Sequence, residues 1–457
     1  MEIAQNQISA TETDKLITKT MGCCSTCFKV IPAEIVERNG KVFMLKECCD
    51  KEEVLIENDV DFYKKKSVVY GNYERSFLEM KKSRFEGFNA EFLQKQSPAL
   101  MLTLTLKCNL DCPICLNVKY PSQVDHHTDF NISADTIKEM LGTHKRKIVT
   151  LWGGEPTLRK DLPEIIKLVK KSGNTCSICT NGLKLLDFNY CKTLKKAGVD
   201  LVALQFDGFR DDINMKLRGV PLLERKMKIL KNLKDLKIKT TLMAVVGKGI
   251  NEDQIPLLIK FASMNSDFIN SVQFIDLYTG NFGDEERITS SDILKTIEAT
   301  TGVPSELYLE QKQLYFNMGK IARKFFGNNF FINPDVLSHP TTMYLRRTKL
   351  GFQPYFDLDW LKKTNEIIEN GLGKGRAGFV AYMMKNAKQF ADKNFIKILA
   401  SVVLNGFDVF GAGIKTSSMS IVKVGLLGVK SPQNEDLERS GDKEELVLGP
   451  VITNMCD

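Results

Sequence analysis

Histidine is scarce in this chain: four residues among 457, His126, His127, His144 and His339, so acid–base chemistry by imidazole is poorly supplied. Tryptophan occurs twice. No long hydrophobic run exists either. The longest apolar stretch, residues 395–410, is broken by Lys397, Asn405 and Asp408, which argues against a membrane span. The first residues, MEIAQNQISATETDK, lack the basic and apolar regions of a secretion signal. Neither charge sign dominates: 64 basic against 56 acidic residues leave +8. The basic clusters Lys64-Lys65-Lys66, Lys81-Lys82-Arg84 and Arg346-Arg347-Lys349 read as solvated faces. No nucleic acid is expected as a partner, because no basic helix follows the first cysteine cluster. A cytoplasmic location is expected, with peripheral membrane contact as an alternative.

Cysteine is what the chain does have, and it is clustered. Of 12 cysteines, five fall between Cys23 and Cys49 and three between Cys108 and Cys115. Cys176, Cys179 and Cys191 follow, and then none until Cys456. Clustered thiols in a chain without an export signal read as metal ligands rather than disulfides.

Length suggests about three units. A polar lead, residues 1–18, precedes a metal-binding unit, residues 19–80, centred on a β-hairpin. Residues 30–37 and 41–46 are strand-like, and Asn39-Gly40 is the dipeptide a type I′ turn prefers. Folding the hairpin brings its ends together, and both carry thiols. Cys24 and Cys27 form a CxxC knuckle, with Cys48 and Cys49 arriving opposite. Four thiolates suit one tetrahedral zinc or mononuclear iron. Five thiols compete for four places, so Cys23 can replace Cys49. Such an ion would staple a unit too small for a core of its own.

From about residue 97 to 285 the pattern becomes strand–helix alternation. Strands are expected at 100–106, 148–152, 175–180, 200–206, 238–246 and 271–278, with helices at 161–171, 222–236 and 253–264. Alternation of this kind specifies an α/β fold with a parallel sheet, closing partly or fully into a barrel. Its chemistry belongs at the carboxyl ends of the strands. The motifs lie there. After the first strand, KCNLDCPICLN places Cys108, Cys112 and Cys115 in a CX3CX2C arrangement. Three thiolates on one loop can hold three irons of a [4Fe–4S] cube and leave the fourth open to a ligand. After the second strand comes LWGGEPTLR, where Gly153 and Gly154 let the backbone approach a ligand and Glu155 offers a carboxylate.

These motifs, with Thr180-Asn181-Gly182 after strand three and Gln205–Gly208 at strand four, resemble the radical S-adenosylmethionine (radical SAM) superfamily over about residues 99–280. The resemblance implies a [4Fe–4S] cluster on Cys108, Cys112 and Cys115 whose open iron chelates SAM. It implies a SAM wall built from Gly153, Gly154, Glu155, Pro156, Thr180, Asn181 and Asp207, with Glu155 receiving the methionine amine and Asp207 at the ribose or serving only as a turn acid. It further implies hydrogen abstraction from an unactivated C–H bond and a ferredoxin- or flavodoxin-like electron donor.

CCSTCFKVIPAEI, LWGGEPTLRKDLPEIIKL, FDGFRDDINMKLRG and QFIDLYTG narrow the resemblance to the tetraether lipid synthase-like subgroup, which includes relatives linked to pterin methylation. This favours a lipid-like substrate and C–C bond formation, with methylation or maturation of a polar, pterin-like molecule as the alternative. A non-catalytic metal-binding interaction protein is a third reading. Residues 286–457 are expected to be mostly helical, with a helix capped by Thr289 or Ser290. In INPDVLSHPTTM, Leu337 and Thr342 stand where the subgroup carries thiols, so no auxiliary cluster is expected there. His339 reads as a structural hydrogen-bonding residue. Cys176, Cys179 and Cys191 read as small core residues, and Cys456 as a free tail thiol. The segment 377–410 is apolar enough either to pack in a core or to rest on a membrane.

Overall fold

The computed structural model describes residues 14–24, 30–69, 99–115, 131–143, 148–277, 287–326, 342–348, 351–354, 356–390 and 421–427. Cys27, His126, His127, His144, Leu337, His339 and Cys456, and residues 391–410 of the apolar segment, lie outside them.

The N-terminal unit is a four-stranded antiparallel meander of β1 (Lys15–Cys23), β2 (Val30–Arg38), β3 (Lys41–Glu47) and β4 (Lys51–Glu57). The expected hairpin is its centre. Asn39 and Gly40 both take positive φ, 51° and 76°, as a type I′ turn requires, and Arg38 pairs with Lys41 across it. Strand β1 starts inside the stretch read as a polar lead. Its alternation KLITKTMG supplies one outer strand, and the apolar faces of Ala33, Ile35, Val42 and Met44 form a small separate core. Helical residues 60–69 follow.

The second sheet has nine strands in the order β12-β11-β13-β10-β9-β8-β7-β6-β5. Six run parallel in sequence order: β5 (Ala99–Thr105), β6 (Ile148–Gly153), β7 (Thr175–Thr180), β8 (Leu201–Gln205), β9 (Lys239–Val246) and β10 (Ile269–Asp276). Helices α1 (Ala134–Thr143), α2 (Leu162–Lys171), α3 (Phe188–Ala197), α4 (Asp211–Arg218), α5 (Leu223–Asp235) and α6 (Gln254–Met264) connect them. The order has two free ends, so among the described residues the sheet is a partial barrel.

One face of each strand packs into the main core: Leu100 and Leu102, Val149 and Leu151, Cys176 and Ile178, Val202 and Leu204, Leu242 and Ala244, Val272 and Phe274. Period-two alternation then turns Thr103, Thr150, Ser177, Thr241, Ser271 and Gln273 to the other face. Ser177 and Thr150 are directly paired across strands, and the Thr241 and Ser271 hydroxyls lie 2.7 Å apart. The inner face mixes these polar side chains with Met101, Ala203, Met243, Val245 and Ile275.

The C-terminal region is not only helical. β13 (Ile421–Leu427) adds to β10 as a seventh parallel strand, and β11 (Thr342–Thr348) and β12 (Gly351–Pro354) extend the sheet as an antiparallel hairpin. The β-branched start of IVKVGLL favours an extended chain, and β10 would otherwise be an unpaired edge. Helices α7 (Ser290–Thr301), α8 (Glu306–Phe326), α9 (Leu358–Leu372) and α10 (Arg376–Lys385) make up the rest. Thr289 caps α7 in a reciprocal capping box with Asp292. The N-terminal unit docks at this cap: the buried Glu57 carboxylate accepts from the Ser291 hydroxyl at 2.7 Å, and Asn58 donates to Asp292 at 2.6 Å.

Residues 377–390, the described part of the apolar segment, are mostly exposed and anchor through a few side chains. Phe379 is buried and meets Phe325 edge-on, and the Trp360 indole donates to the Gln389 carbonyl at 2.7 Å. Val380 and Met384 remain exposed. Among the described residues no helix is long and apolar enough to cross a membrane.

Candidate functional site

Two sulfur sites lie on different scaffolds. At the open end of the N-terminal sheet, the Cys24, Cys48 and Cys49 sulfurs lie within 4.8 Å of one another. Four sulfurs around one zinc are separated by about 3.8 Å, given Zn–S near 2.3 Å. The three thiols therefore suit a single ion, and antiparallel register is what brings them together: β1 ends at Cys23 beside Val30, while Cys48 and Cys49 occupy the turn from β3 to β4. Cys24 is buried, Cys48 and Cys49 exposed. The side chain of Cys23 is not among those described.

The second site is the loop after β5. Cys108 is exposed and Cys112 and Cys115 are half-buried. Their sulfurs are not among the described groups that close on one ion, although each thiol lies near enough to feel the others' charge. The three sulfurs thus do not share the close spacing of the ribbon thiols.

Neighbouring strand ends hold this loop by specific bonds. Gly154 N donates to Thr105 O at 2.8 Å and Glu155 N to Lys107 O at 2.7 Å. The approach is so close that a Cβ on Gly153, which sits at φ 135°, would collide with the Thr105 carbonyl oxygen. On Gly154 it would strike the Leu106 and Lys107 carbonyls. The glycine pair is therefore required to press one strand end against the cysteine loop, before any ligand is considered.

Glu155 is wholly buried. One carboxylate oxygen accepts from Thr157 N at 3.0 Å, the Thr157 hydroxyl and the Thr180 hydroxyl at 2.6 Å; the other accepts from Asn181 N at 2.8 Å. The carboxylate expected to receive an amine is thus engaged in tying the β6 loop to the β7 loop. Pro156, also buried, opens the short turn that carries Thr157. Asn181 then reaches the cysteine loop, donating to Asn109 at 2.7 Å and lying 3.8 Å from the Cys108 sulfur.

Asp207 is buried too. Its carboxylate takes a two-point bond from Arg218, at 2.7 and 2.8 Å, and a third from Val245 N at 3.0 Å. Gln205 donates to it as well. Asp207 is thus the partner of a buried cation, which its reading as a ribose contact or turn acid does not include.

Sequence reasoning missed that cation. Arg218 ends α4 beside the cysteine loop; burial raises the Cys112 thiol's pKa and the Arg218 charge opposes the rise. It missed Lys226, which is buried and donates to Asn181 O at 2.6 Å, Gln205 O at 2.7 Å and Gln205 Oε1 at 2.7 Å. Burial pushes Lys226 down to about 7, yet all three partners are acceptors and call for the ammonium form. In sequence both cations look like ordinary surface-helix residues, and only packing turns them inward. Trp152 was missed as well: it precedes the glycine pair, and its indole N–H is buried without a partner among the described residues.

The other cysteines divide by strand face. Cys176 and Cys191 are buried in the core, where desolvation raises their thiols to about 12 and about 11. Cys179 is half-buried on the inner face, 3.8 Å from the Met243 sulfur. An odd spacing from Cys176 puts it there.

Residues 102–262 match the radical SAM superfamily, and residues 16–57 match the HMPTM N-terminal zinc ribbon domain. The chain is 32% identical over 301 residues to a 7,8-dihydro-6-hydroxymethylpterin dimethyltransferase of Methanocaldococcus jannaschii, covering 62% of this chain and 58% of that protein. It is 30% identical over 172 residues to an Fe-coproporphyrin III synthase of Methanosarcina barkeri, covering 37% of this chain and 41% of that protein. Among solved structures, SuiB of Streptococcus suis with its precursor peptide SuiA aligns over 57% of this chain and 66% of that one, at 16% identity and a TM-score of 0.39. The chain thus spans about half the length of these two curated relatives. It carries a radical SAM domain behind a zinc ribbon. A radical SAM domain is an enzyme domain whose cofactors are a [4Fe–4S] cluster and SAM, and the ribbon supplies a mononuclear metal site. The lipid-synthase subgroup and a lipid substrate find no support in these relatives.

Proposed function

We propose that the chain is a radical SAM enzyme acting on a polar heterocycle of the pterin class. Cys108, Cys112 and Cys115 would hold the cluster, and Gly153, Gly154, Glu155, Pro156, Thr180 and Asn181 would form the wall against SAM. Cys24, Cys27, Cys48 and Cys49 would hold the ribbon ion. When bound, cluster and SAM would supply radical chemistry able to act on an unactivated C–H bond.

The chain's own residues position and shield. The bonds from Thr105 and Lys107 to the glycine loop, and from Glu155 to Thr180 and Asn181, fix three strand ends as one rigid rim. Asp207 and Lys226 brace that rim from below rather than touching a ligand.

The observation that carries the substrate class is the inner face of the sheet. Beneath the rim it presents Thr103, Thr150, Ser177 and Gln273 among Met101, Met243 and Val245, with the Trp152 N–H lacking a partner among the described residues. Covering hydroxyls and amides with hydrocarbon costs about 1–3 kcal/mol per unsatisfied group, which disfavours a lipid chain. A flat heterocycle rich in nitrogen and oxygen would satisfy them and stack on the indole. The dimethyltransferase relative, whose name concerns a pterin, supports the same class. A ferredoxin- or flavodoxin-like donor would supply the electron. By this reading the units of function are the ribbon at 19–80, the radical core at 97–285 and a substrate-covering region at 286–457.

The test is anaerobic reconstitution with a strong reductant, SAM and a panel of deuterated pterins and lipids. Deuterium should appear in 5′-deoxyadenosine with a pterin, and Cys112→Ala should abolish 5′-deoxyadenosine release. Protein that binds only zinc, with no iron–sulfur absorbance, would refute the enzyme; transfer from a lipid alone would refute the substrate class.

A further inference from the structure

Arg218 ends a helix that packs against the cysteine loop. Ile114 of the loop packs against the buried apolar cluster to which Ile213 and Leu217 of that helix belong. The cap of that helix, Gly219, abuts the loop backbone, where a Cβ would lie 3.5 Å from Asp111 O and 3.6 Å from Pro113 Cδ. The guanidinium itself is held by the Asp207 carboxylate through Nε and Nη2, and its charge acts on Cys112.

The ion pair is nearly dry: the Arg218 side chain is 11% exposed and that of Asp207 not at all. Asp207 cannot swing away, because Val245 N and Gln205 hold the carboxylate and Asn251 holds its carbonyl at 2.9 Å. Further charges nearby are Lys226, bonded to the same Gln205, and the buried Glu155. In a site shielded from water, charge acts over several ångströms with little screening. Hydrogen bonds to ligand sulfur and local charge are two of the means by which a protein sets a cluster's potential.

We propose that Arg218 is a positioning residue for the cluster, fixed by Asp207, whose positive charge beside the cysteine loop sets how readily the cluster accepts an electron. This rests on the reading of Cys112 as a cluster ligand. A positive charge beside the loop favours the reduced cluster, which carries one more negative charge. Asp207 offsets part of that charge, so the two residues act with opposite signs.

The experiment is a redox titration of the reconstituted full chain without SAM, followed by electron paramagnetic resonance, with iron and sulfide counted in each sample. Leaving SAM out keeps any change in its affinity from producing the result. Arg218→Gln alone would bury an unpaired carboxylate, so the comparison uses Asp207→Asn and the double variant Asp207→Asn/Arg218→Gln. The expected order of midpoint potentials is Asp207→Asn highest, wild type next and the double variant lowest, with iron content unchanged. Equal potentials, or the reverse order, would overturn the role of Arg218 while leaving the cluster in place. A wild type without any cube signal would overturn the cluster reading and this inference together.

Discussion

The two sulfur sites use the same residue for opposite ends. The ribbon gathers Cys24, Cys48 and Cys49 within 4.8 Å on a meander whose register sets the spacing, so geometry is built by backbone pairing within the unit. At the loop after β5 the thiols stay apart, and what holds them comes from elsewhere in the chain: Asn181 on Cys108, Arg218 on Cys112, the glycine pair on the loop backbone. A closed site needs only its own hairpin. An open one, as proposed for this loop, would need outside braces because the loop cannot fill its own coordination.

The sharpest break in that comparison is Cys24→Ser. A structural ion contributes folding free energy outright, about 10 kcal/mol or more in isolated zinc peptides, so the ribbon should lose its ion and be cut readily by protease. The radical site has a separate core, and its turnover should stay within about twofold. A matched loss of both would show the sites to be one unit.

Next comes Gly153→Ala. Forcing a side chain onto φ 135° and into the Thr105 carbonyl should cost roughly 2–3 kcal/mol in urea unfolding of the metal-free chain. SAM binding should weaken further, with the ribbon ion retained. An alanine tolerated at both readouts would mean that the loop can relax, contrary to the bracing described here.

The smallest effect is electrostatic. Lys226 is held down to about 7 in the folded chain, against about 10.4 when unfolded. Between those values the unfolded chain binds more protons, so the penalty of burying this lysine is full below pH 7 and fades as pH rises. Relative to Lys226→Met, the wild type should therefore gain stability from about pH 7 to about pH 10, measured by urea unfolding of the metal-free chain. A difference that does not change with pH would mean that the three acceptors keep the ammonium fully charged across that range.

Much of the core was legible because its signals are local. Residues 175–180 were expected as a strand and form β7, and 253–264 contain α6 with one residue trimmed. Asn39-Gly40 fixed the hairpin, since few dipeptides accept positive φ twice. The third unit was less legible. IVKVGLL is short and isolated, and its strand character depends on β10 having a free edge, which no local pattern reveals.

In the candidate site the backbone motifs were readable, whereas the partners of the carboxylates were not. Glu155 and Asp207 read in sequence as groups facing a ligand, yet both are spent on neighbours. Their partners, Thr180 and Arg218, stand 25 and 11 residues away. Such pairings exist only once the strands are side by side.

The central claim is that the chain separates a closed one-ion site from an open cluster site. Iron, sulfide and zinc counted per chain in anaerobically reconstituted wild type and Cys112→Ala test it most directly. The account predicts about four irons and four sulfides beside one further ion in the wild type, with Cys112→Ala losing the cube and keeping that ion. Two zinc ions and no sulfide in the wild type, the second lost with Cys112, would contradict it.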